Sequence, residues 1–253
     1  MKPRVLIPVS PGTNRDGDLA RAFELAGAEA DRVPLADLRD GACRLSDYQL
    51  LGLAGGFSYG DSLGAGRLLG LDLGTWFVEE LSEAVEAGLP VIGVCNGFQA
   101  LVRAGLLPGT EQAAVLTANT SGRFECRWVT LEVERSDSLW TSGLDEPLRC
   151  PVAHGEGRLV VQDPDRLEDE GVVAFRYATE DGERPGGSYP TNPNGSVGDV
   201  AGLLNPAGTV LGLMPHPEDH VLGWQDPLRG RIRGKVTGSC LPLFQAGVGA
   251  VAG

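Results

Sequence analysis

Short apolar runs alternate with polar, amphipathic segments over the first hundred residues. The runs at 5–9, 50–54 and 91–94 are apolar throughout, as buried strands are. Between the first two runs, residues 18–26 are predicted to form a helix that ends at Gly27. Strand–helix alternation of this kind predicts an α/β fold with a mainly parallel sheet, in which ligands bind at the carboxyl ends of the strands.

Two further helices are predicted in this half of the chain. Thr75 is expected to cap a helix that presents apolar residues on one face and ends at Gly88. Residues 96–104 form the second, with apolar side chains on one face and Gly105 just past its end. The first helix leads into the run at 91–94 and the second leads out of it, which fits a parallel sheet.

Beyond residue 107 the pattern changes to one of strands. Strands are predicted at residues 124–133, 148–153, 158–161, 172–177, 200–204 and 209–213. The last two are expected to form a hairpin about residues 205–208, whereas 181–198 is rich in Gly, Pro, Asn and Ser and is predicted to be loop. An irregular basic segment and a helix starting near Pro242 follow. Because no repeat or linker is evident, residues 1–253 are expected to form a single domain.

Composition narrows the class of protein. At 253 residues the chain is long enough for one large domain with a substantial core. Its formal net charge of −13 argues against nucleic acid or an anionic membrane as the main partner. No apolar run approaches the roughly 20 residues of a membrane span, and no signal-peptide pattern begins the chain, so a cytoplasmic location is expected. The five cysteines form no C-x-x-C, which favours neither a disulfide framework nor a thiolate zinc site.

Cys95 stands where the apolar run 91–94 gives way to a predicted helix. Residues 93–97, GVCNG, have the G-x-nucleophile-x-G form of a nucleophile elbow, a sharp strand-to-helix turn that exposes one side chain at the sheet edge. The helix N-terminus carries roughly half a positive charge, which favours thiolate over thiol. A lone cysteine is more often buried and structural. Here the glycine spacing and the switch from strand to helix favour a nucleophile.

A cysteine nucleophile needs a base, a group that orients the base, and donors for the oxyanion. Only His154, His216 and His220 can supply the imidazole. His216 is the better candidate, because it follows the last predicted strand at the same sheet edge as Cys95. Glu218 is placed to face the imidazole and hold its tautomer. The alternative is a surface histidine in a proline-rich turn.

Gly55 and Gly56 follow the apolar run 50–54. A glycine at this place lets a backbone amide approach a substrate closely. The amides of Gly56 and of Asn96, the residue after the nucleophile, are therefore the candidate oxyanion donors. A double glycine is usually just a turn, and only its place at the carboxyl end of a strand makes it informative.

Other binding motifs are absent or incomplete. Residues 64–67, GAGR, form neither G-x-G-x-x-G nor a P-loop. His216-x-Glu218 lacks the P-C-x-x-C that accompanies this spacing in zinc deaminases. His216 and His220 have i,i+4 spacing, but no third ligand is evident and Pro217 disfavours a continuous helix. No metal site is predicted.

Five stretches carry a resemblance to a known family. They are 55–61 (GGFSYGD), 93–99 (GVCNGFQ), 151–157 (PVAHGEG), 194–196 (NGS) and 215–218 (PHPE). Together they resemble class I (triad) glutamine amidotransferases, and among these the glutaminase subunits of phosphoribosylformylglycinamidine synthase from purine biosynthesis. The resemblance runs from about Val5 to Phe244. It implies a flavodoxin-like, mainly parallel sheet flanked by helices, with additional β-hairpins.

The resemblance also implies roles for individual residues. Cys95 is implied as the nucleophile, His216 as the base and Glu218 as the orienting group. Glutamine contacts are implied at Gly55, Phe57, Gln99, His154 and Gly155.

The same resemblance implies a partner. It gives this chain no cofactor and places ATP and Mg on a separate large synthetase subunit, which uses the ammonia to convert formylglycinamide ribonucleotide to its amidine. A small third subunit is left open. Two features depart from the family pattern. Asp219 and His220 follow Glu218 where a basic residue is expected, and the loop at 178–193 looks longer than usual.

Two other functions fit the sequence less well than glutamine hydrolysis. A cysteine peptidase or a hydrolase of the dienelactone type shares the elbow, but it does not account for Gln99 or for the placement of residues 215–218. A catalytically idle structural subunit is the non-enzyme alternative. The presence of Cys95, His216 and Glu218 together argues against it.

Overall fold

The computed structural model describes residues 1–135, 137–228 and 237–252. The strands in these ranges are β1 (Arg4–Val9), β2 (Glu29–Pro34), β3 (Leu50–Leu53), β4 (Val91–Val94), β5 (Ala114–Thr117), β6 (Glu125–Val133), β7 (Leu148–His154), β8 (Arg158–Val161), β9 (Val173–Ala178), β10 (Val200–Leu204) and β11 (Val210–Leu213). The helices are α1 (Asp16–Leu25), α2 (Leu35–Arg39), α3 (Arg67–Thr75), α4 (Val78–Glu86), α5 (Asn96–Arg103), α6 (Pro164–Asp169) and α7 (Leu241–Gly249).

One large sheet organises the described residues, with strand order β2-β1-β3-β4-β11-β10-β9-β6-β7. The first five strands are parallel to one another. From β11 onward the strands pair antiparallel, so the hairpins extend the same sheet. Strands β5 and β8 form a separate antiparallel pair. The predicted α/β class with a mainly parallel sheet and additional hairpins is confirmed.

Helices cover both faces of the parallel half of the sheet. A Cβ placed on Gly52 of β3 would lie 3.1 Å from Leu19 of α1, and one on Gly93 of β4 would lie 2.5 Å from Leu101 of α5. Gly93 pairs with Leu53, the neighbour of Gly52 in β3. Because successive strand residues point to opposite faces, α1 and α5 lie on opposite sides of the sheet.

Five elements were not predicted, namely β2, α2, β5, α3 and α6. The role expected of Thr75 was also wrong. Thr75 is the last residue of α3, where its hydroxyl donates to the carbonyl of Leu71 at 2.7 Å. The following helix, α4, begins at Val78 with Phe77 at its N-cap. A hydroxyl that binds a carbonyl of its own helix is not available to cap the next helix.

The predicted hairpin and the C-terminal helix are confirmed. Strands β10 and β11 pair antiparallel, and Oδ1 of Asn205 accepts from the N–H groups of Thr209 and Val210 at 2.9 Å each, which closes the turn. Helix α7 begins one residue before Pro242. Part of the expected basic segment, 229–236, lies outside the described residues. No helix within the described ranges has the length and apolarity needed to cross a membrane.

Candidate active site

Cys95 occupies the sharp turn between β4 and α5. Its backbone has φ 51° and ψ −104°, and holding a residue with a side chain in such a region costs about 1–3 kcal/mol. A Cβ on Gly97 would lie 2.1 Å from the carbonyl oxygen of Leu53, and one on Gly93 would lie 2.8 Å from the backbone of Gly97. The two glycines that flank Cys95 are therefore required, because α5 approaches the sheet too closely for side chains there.

His216 and Glu218 follow β11, the strand beside β4 in the sheet. Pro217–His220 form a turn of 3-10 helix, and this turn brings Glu218 back against the histidine. Nδ1 of His216 lies 2.7 Å from Oε1 of Glu218, and their side chains are only 4% and 0% exposed. The backbone N–H of His216 also donates to the carbonyl of Pro151 at 2.8 Å. The imidazole is thus fixed by both its ring and its backbone.

Cys95 and His216 meet at Gly55. A Cβ on Gly55 would lie 2.7 Å from Cε1 of His216 and 3.3 Å from Cβ of Cys95. Glu218 occupies Nδ1 of the ring, whereas Nε2 makes no hydrogen bond of ordinary geometry in the described part of the chain. Nε2 is therefore the nitrogen left for the thiol and for a substrate.

The protonation of His216 follows from its neighbours. Burial alone would lower the pKa of His216, but the charges of Glu218 and Cys95 outweigh burial and hold this pKa well above its ordinary value. An opposite charge close to an imidazole favours its charged form. The geometry therefore favours an imidazolium beside the sulfur of Cys95.

The segment after β3 has an unusual backbone. Positive φ values occur at Gly56, Tyr59, Gly60, Asp61, Leu63, Gly64 and Gly66. Three of these residues carry side chains, and the left-handed conformation costs each of them roughly 1–2 kcal/mol. Contacts from outside the segment must therefore hold it in this shape.

Gly56 lies against the loop that follows β1. A Cβ on Gly56, whose φ is 120°, would lie 2.5 Å from Oδ1 and 2.7 Å from the backbone nitrogen of Asn14. Gly56 therefore needs to be glycine for both its conformation and its surroundings. The amide of Asn96 lies in the first turn of α5, where N–H groups have no acceptor within the helix. Of the two candidate oxyanion donors, Asn96 thus directly follows Cys95 in the chain. Gly56 directly follows Gly55, which lies against Cys95 and His216.

Gln99 and the segment 154–157 are linked to each other close to Cys95. Nε2 of Gln99 donates to the carbonyl of Glu156 at 2.6 Å. Sγ of Cys95 lies 3.7 Å from the carbonyl of Ala153, the residue before this segment. The structure therefore brings Gln99 and the segment 154–157 to the same edge of the sheet as Cys95.

His154 is a buried, neutral histidine close to His216. Its side chain is 3% exposed, and neither ring nitrogen has a hydrogen-bond partner among the described residues. Burial and the positive charge of His216 lower the pKa of His154 to about 4. An uncharged imidazole with free nitrogens suits a polar, uncharged ligand such as a carboxamide.

Two exposed aromatic rings mark the edge of the site. Phe57 and Phe124 are 45% and 53% exposed, and their rings stack with centroids 6.5 Å apart. A Cβ on Gly155 would lie 3.9 Å from the Phe124 ring. Phe124 thus contacts both Phe57 and Gly155 at the surface. The resemblance implies these two residues as glutamine contacts.

The motif at 194–196 is hydrogen-bonded to the end of the segment 154–157. Nδ2 of Asn194 donates to the carbonyl of Gly157 at 2.8 Å and to Tyr177 at 3.0 Å. The hydroxyl of Ser196 donates to the same carbonyl of Gly157 at 3.3 Å. This motif therefore acts as a structural support for the segment 154–157. Among the described residues, its hydrogen bonds do not reach Cys95, His216 or Glu218.

Asp219 and His220, which stand where the family pattern has a basic residue, make different contacts in the structure. Asp219 pairs with Arg15, which comes from the loop after β1. Burial and the charge of Glu218 raise the pKa of Asp219 to about 6, although Arg15 opposes this shift. A basic group therefore does lie against position 219, but it comes from Arg15 and is paired with Asp219. His220 turns away and packs its ring edge-on against Trp128.

One group of metal-type ligands occurs among the described residues. The ligand atoms of His216, Glu218 and Asp219 lie within 4.8 Å of one another. All three are already paired. Nδ1 of His216 bonds to Glu218, which is how an imidazole is oriented for acid–base chemistry, and Asp219 pairs with Arg15. The absence of a metal stays a prediction.

Comparison with known proteins identifies the family. The model of the CobB/CobQ-like glutamine amidotransferase domain matches residues 2–249. The phosphoribosylformylglycinamidine synthase subunit PurQ of Treponema denticola is 46% identical over 99% of this chain and 100% of its own length. The subunit of the same name from Dehalococcoides mccartyi is 44% identical over 89% of each chain.

Solved structures agree. A chain in the structure of PurLQS from Thermotoga maritima superposes with a TM-score of 0.76 at 35% identity, covering 99% of this chain and 100% of that chain. A glutamine amidotransferase from the same organism, at 18% identity and a TM-score of 0.51, shares the fold. The resemblance drawn from the five sequence stretches is confirmed. The chain belongs to the family of glutamine amidotransferases that form the PurQ subunit of phosphoribosylformylglycinamidine synthase.

Proposed function

We propose that Cys95, His216 and Glu218 carry out the glutaminase reaction of this family and that the chain passes the ammonia to a large synthetase subunit. The observation that carries the proposal is the buried contact of 2.7 Å between Nδ1 of His216 and Glu218, on a ring that flanks Gly55 together with Cys95. A nucleophile, a base and an orienting carboxylate in this order are the parts of an acyl-transfer triad.

The first half of the reaction forms a thioester. The thiolate of Cys95 attacks the side-chain amide carbon of glutamine, which forms a C–S bond and moves negative charge onto the amide oxygen. The backbone N–H groups of Gly56 and Asn96 donate to this oxygen. Imidazolium His216 gives its Nε2 proton to the amide nitrogen, the C–N bond breaks, and ammonia leaves.

The second half restores the enzyme. Neutral His216 takes a proton from water, and the hydroxide attacks the thioester carbon. The C–S bond breaks, glutamate is released, and Cys95 returns as a thiolate beside the imidazolium. Throughout, Glu218 holds the Nδ1 proton and stabilises the charged ring.

Neutral His154 and the Gln99 carboxamide are proposed to bind the glutamine. Both are buried and polar beside Cys95, and both offer donors and acceptors that match the side-chain amide or the amino-acid end. Gly55, Phe57 and Gly155 complete this proposed pocket. ATP and Mg are proposed to bind on the synthetase partner, and no cofactor is assigned to this chain.

A glutamine-analogue electrophile tests the assignment directly. The chain is incubated with a chloroketone analogue of glutamine and then analysed by peptide mass spectrometry. One adduct should be found, on Cys95. Cys126 is the internal control, because its thiol is exposed whereas Cys95 is buried. Glutamine should protect Cys95 and asparagine should not. Cys95→Ser should give no adduct.

The same experiment separates the alternatives. Protection by a peptide in place of free glutamine would favour a peptidase. An unlabelled Cys95 in an intact, partner-bound chain would favour a structural subunit. Labelling of Cys126 ahead of Cys95 would mean that simple accessibility governs the reaction and would contradict the proposed site.

A further inference from the structure

The side chain of Asn96 connects the nucleophile elbow to the segment that carries Gly56. Asn96 is 1% exposed. Its Oδ1 accepts hydrogen bonds from the backbone N–H of Ser58 at 3.2 Å and from the Ser58 hydroxyl. Its Nδ2 donates to Oδ1 of Asp61 at 2.8 Å and to Oε1 of Gln99 at 3.2 Å. A single carboxamide thus holds two points of the segment that follows β3.

That segment needs holding, because it contains three non-glycine residues with positive φ. Tyr59, Asp61 and Leu63 have φ values of 55°, 51° and 67°. Asn96 binds Ser58 and Asp61, so Tyr59 lies between the two bound positions and Asp61 is itself one of them. Tyr59 has its own anchor, since its hydroxyl donates to Asp72 at 2.6 Å. A backbone in this region persists only when its surroundings fix it.

We propose that the carboxamide of Asn96 and the carboxylate of Asp61 are positioning residues that set the place of the Gly56 amide relative to the Asn96 amide. This inference rests on the proposed function, in which those two N–H groups donate to the oxyanion. Gly56 lies two residues before Ser58, so displacement of Ser58 moves Gly56. The backbone of Asn96 gives one donor and its side chain fixes the other.

The hydrogen-bond polarity gives this proposal a specific test. In Asn96→Asp, the donor facing Asp61 becomes an oxygen, and two carboxylates then meet at about 2.8 Å, where like charges repel. The bonds from Ser58 are retained, since a carboxylate accepts them equally well. Asp61→Asn alone keeps an acceptor for Nδ2 of Asn96. Combining the two substitutions reverses the direction of the bond and restores it.

Glutaminase kinetics are measured on the chain bound to its synthetase partner. Turnover should be high only in variants where a donor at one of positions 96 and 61 faces an acceptor at the other. Asn96→Asp should lower kcat by about 10- to 100-fold, short of the 10²–10³ for complete loss of an oxyanion donor, with KM changed by less than about threefold. Asp61→Asn should stay within about threefold of wild type, and the double variant should return to within about fivefold of Asp61→Asn. The bond to Gln99 is lost equally in Asn96→Asp and in the double variant, so the comparison isolates the pair with Asp61.

The pH profile supplies a readout that a general packing defect would not change. As pH falls, one of the two carboxyls in Asn96→Asp takes up a proton and can donate to the other. The ratio of variant kcat to wild-type kcat should therefore rise toward acid pH. In the double variant this ratio should be flat.

Ser58→Ala provides a second approach if Asn96→Asp fails to fold. It removes the hydroxyl bond to Asn96 and should lower kcat by about three- to tenfold. Ser62→Ala, an exposed serine of the same segment, is the matched control and should stay within about twofold. Wild-type kcat in Asn96→Asp, a failure of the double variant to recover, or an effect on KM alone would overturn the proposal. Cys95→Ser is run alongside, because survival of glutamine-dependent activity there would instead reject the proposed nucleophile.

Discussion

Oε1 of Glu218 lies 2.7 Å from Nδ1 of His216, and only Pro217 separates the two residues in the chain. The 3-10 turn at Pro217–His220 makes this short separation sufficient, because it folds the carboxylate back onto the ring. Neither side chain is more than 4% exposed. Loss of one partner would leave the other without a compensating charge, a costly arrangement in a buried site.

Glu218→Gln should keep the hydrogen bond to His216 but remove the negative charge that stabilises the imidazolium. We expect glutaminase turnover to fall by roughly ten- to a thousandfold, below the ~10⁴ for a serine-protease aspartate. Glu218 raises the pKa of His216, so its neutralisation should lower that pKa and move the alkaline limb of the kcat/KM profile to lower pH. Glu24→Gln, on the exposed side of α1, is the control. An unchanged alkaline limb would mean that another group sets the pKa of His216.

Cys95→Ala should abolish glutamine-dependent synthesis by the complex while leaving synthesis from added ammonium salts intact. Thioester formation is lost, whereas amination on the partner does not involve this sulfur. Both rates should be measured on the same purified complex. Equal loss of the two activities, with the complex still assembled, would contradict this division of labour.

Gly56→Val should reduce turnover more than glutamine binding. The new side chain would meet both the side chain and the backbone of Asn14, so the loop and its amide must move. If that amide faces the oxyanion, the loss should be on the order of 2.7–4 kcal/mol of transition-state stabilisation.

Gly27→Val is the matched control for Gly56→Val. Gly27 has a similar positive φ of 103°, but no atom of the described residues lies within 4 Å of its hypothetical Cβ. It therefore reports the cost of backbone strain without the collision. A rise in KM alone for Gly56→Val would mean that Gly56 shapes the ground-state pocket.

His154→Gln should make stability less sensitive to acid. The pKa of His154 is lowered from 6.5 to about 4, so the unfolded chain binds this proton first as pH falls. The stabilisation from neutral His154 is complete above pH 6.5 and is lost progressively toward pH 4. Between pH 6.5 and 5 the loss amounts to about 2 kcal/mol.

Chemical denaturation at pH 7 and pH 5 measures this contribution. The difference in unfolding free energy between the two pH values should be smaller in His154→Gln than in wild type by about this amount. Equal differences would show that His154 is charged or exposed in the native chain.

Most strands were predictable because they are buried on both faces, which leaves continuous apolar runs in the sequence. β2 leaves no such run, since it lies at the sheet edge with half-exposed residues and, among the described strands, pairs with β1 alone. Helix α3 was missed because Gly70 and Gly74 interrupt it. A Cβ on Gly70 would lie 2.7 Å from Cβ of Arg103 in α5, so a residue that reads as a helix breaker in fact permits close helix packing.

The site was predictable where its residues are close in sequence. The elbow around Cys95 and the pair of His216 and Glu218 are local patterns. The contact of Arg15 with Asp219 spans 204 positions and that of Asn96 with Asp61 spans 35. Spacing alone carries no signal for such pairs, because the fold, and not local geometry, brings them together.

The isolated chain should be a poor glutaminase that its synthetase partner activates. Ammonia released without an acceptor wastes glutamine, and at neutral pH most of it takes up a proton and is no longer a nucleophile. Coupling between the two reactions is therefore expected. Gly56 provides a means, since a glycine can rotate its amide at low cost, and the segment 154–157 is the second element beside Cys95 that docking can order.

Glutamine hydrolysis should be compared for the chain alone, with the partner, and with the partner plus its nucleotide and substrate. We expect turnover to rise at each step. We expect a partner to contact these segments at the exposed stack of Phe57 and Phe124, so Phe124→Ser should reduce the activation by the partner more than it reduces turnover of the chain alone. Leu25→Ser, at an exposed position on α1, should alter neither. Full turnover by the chain alone, unaffected by partner and ligands, would show that the site is complete without docking.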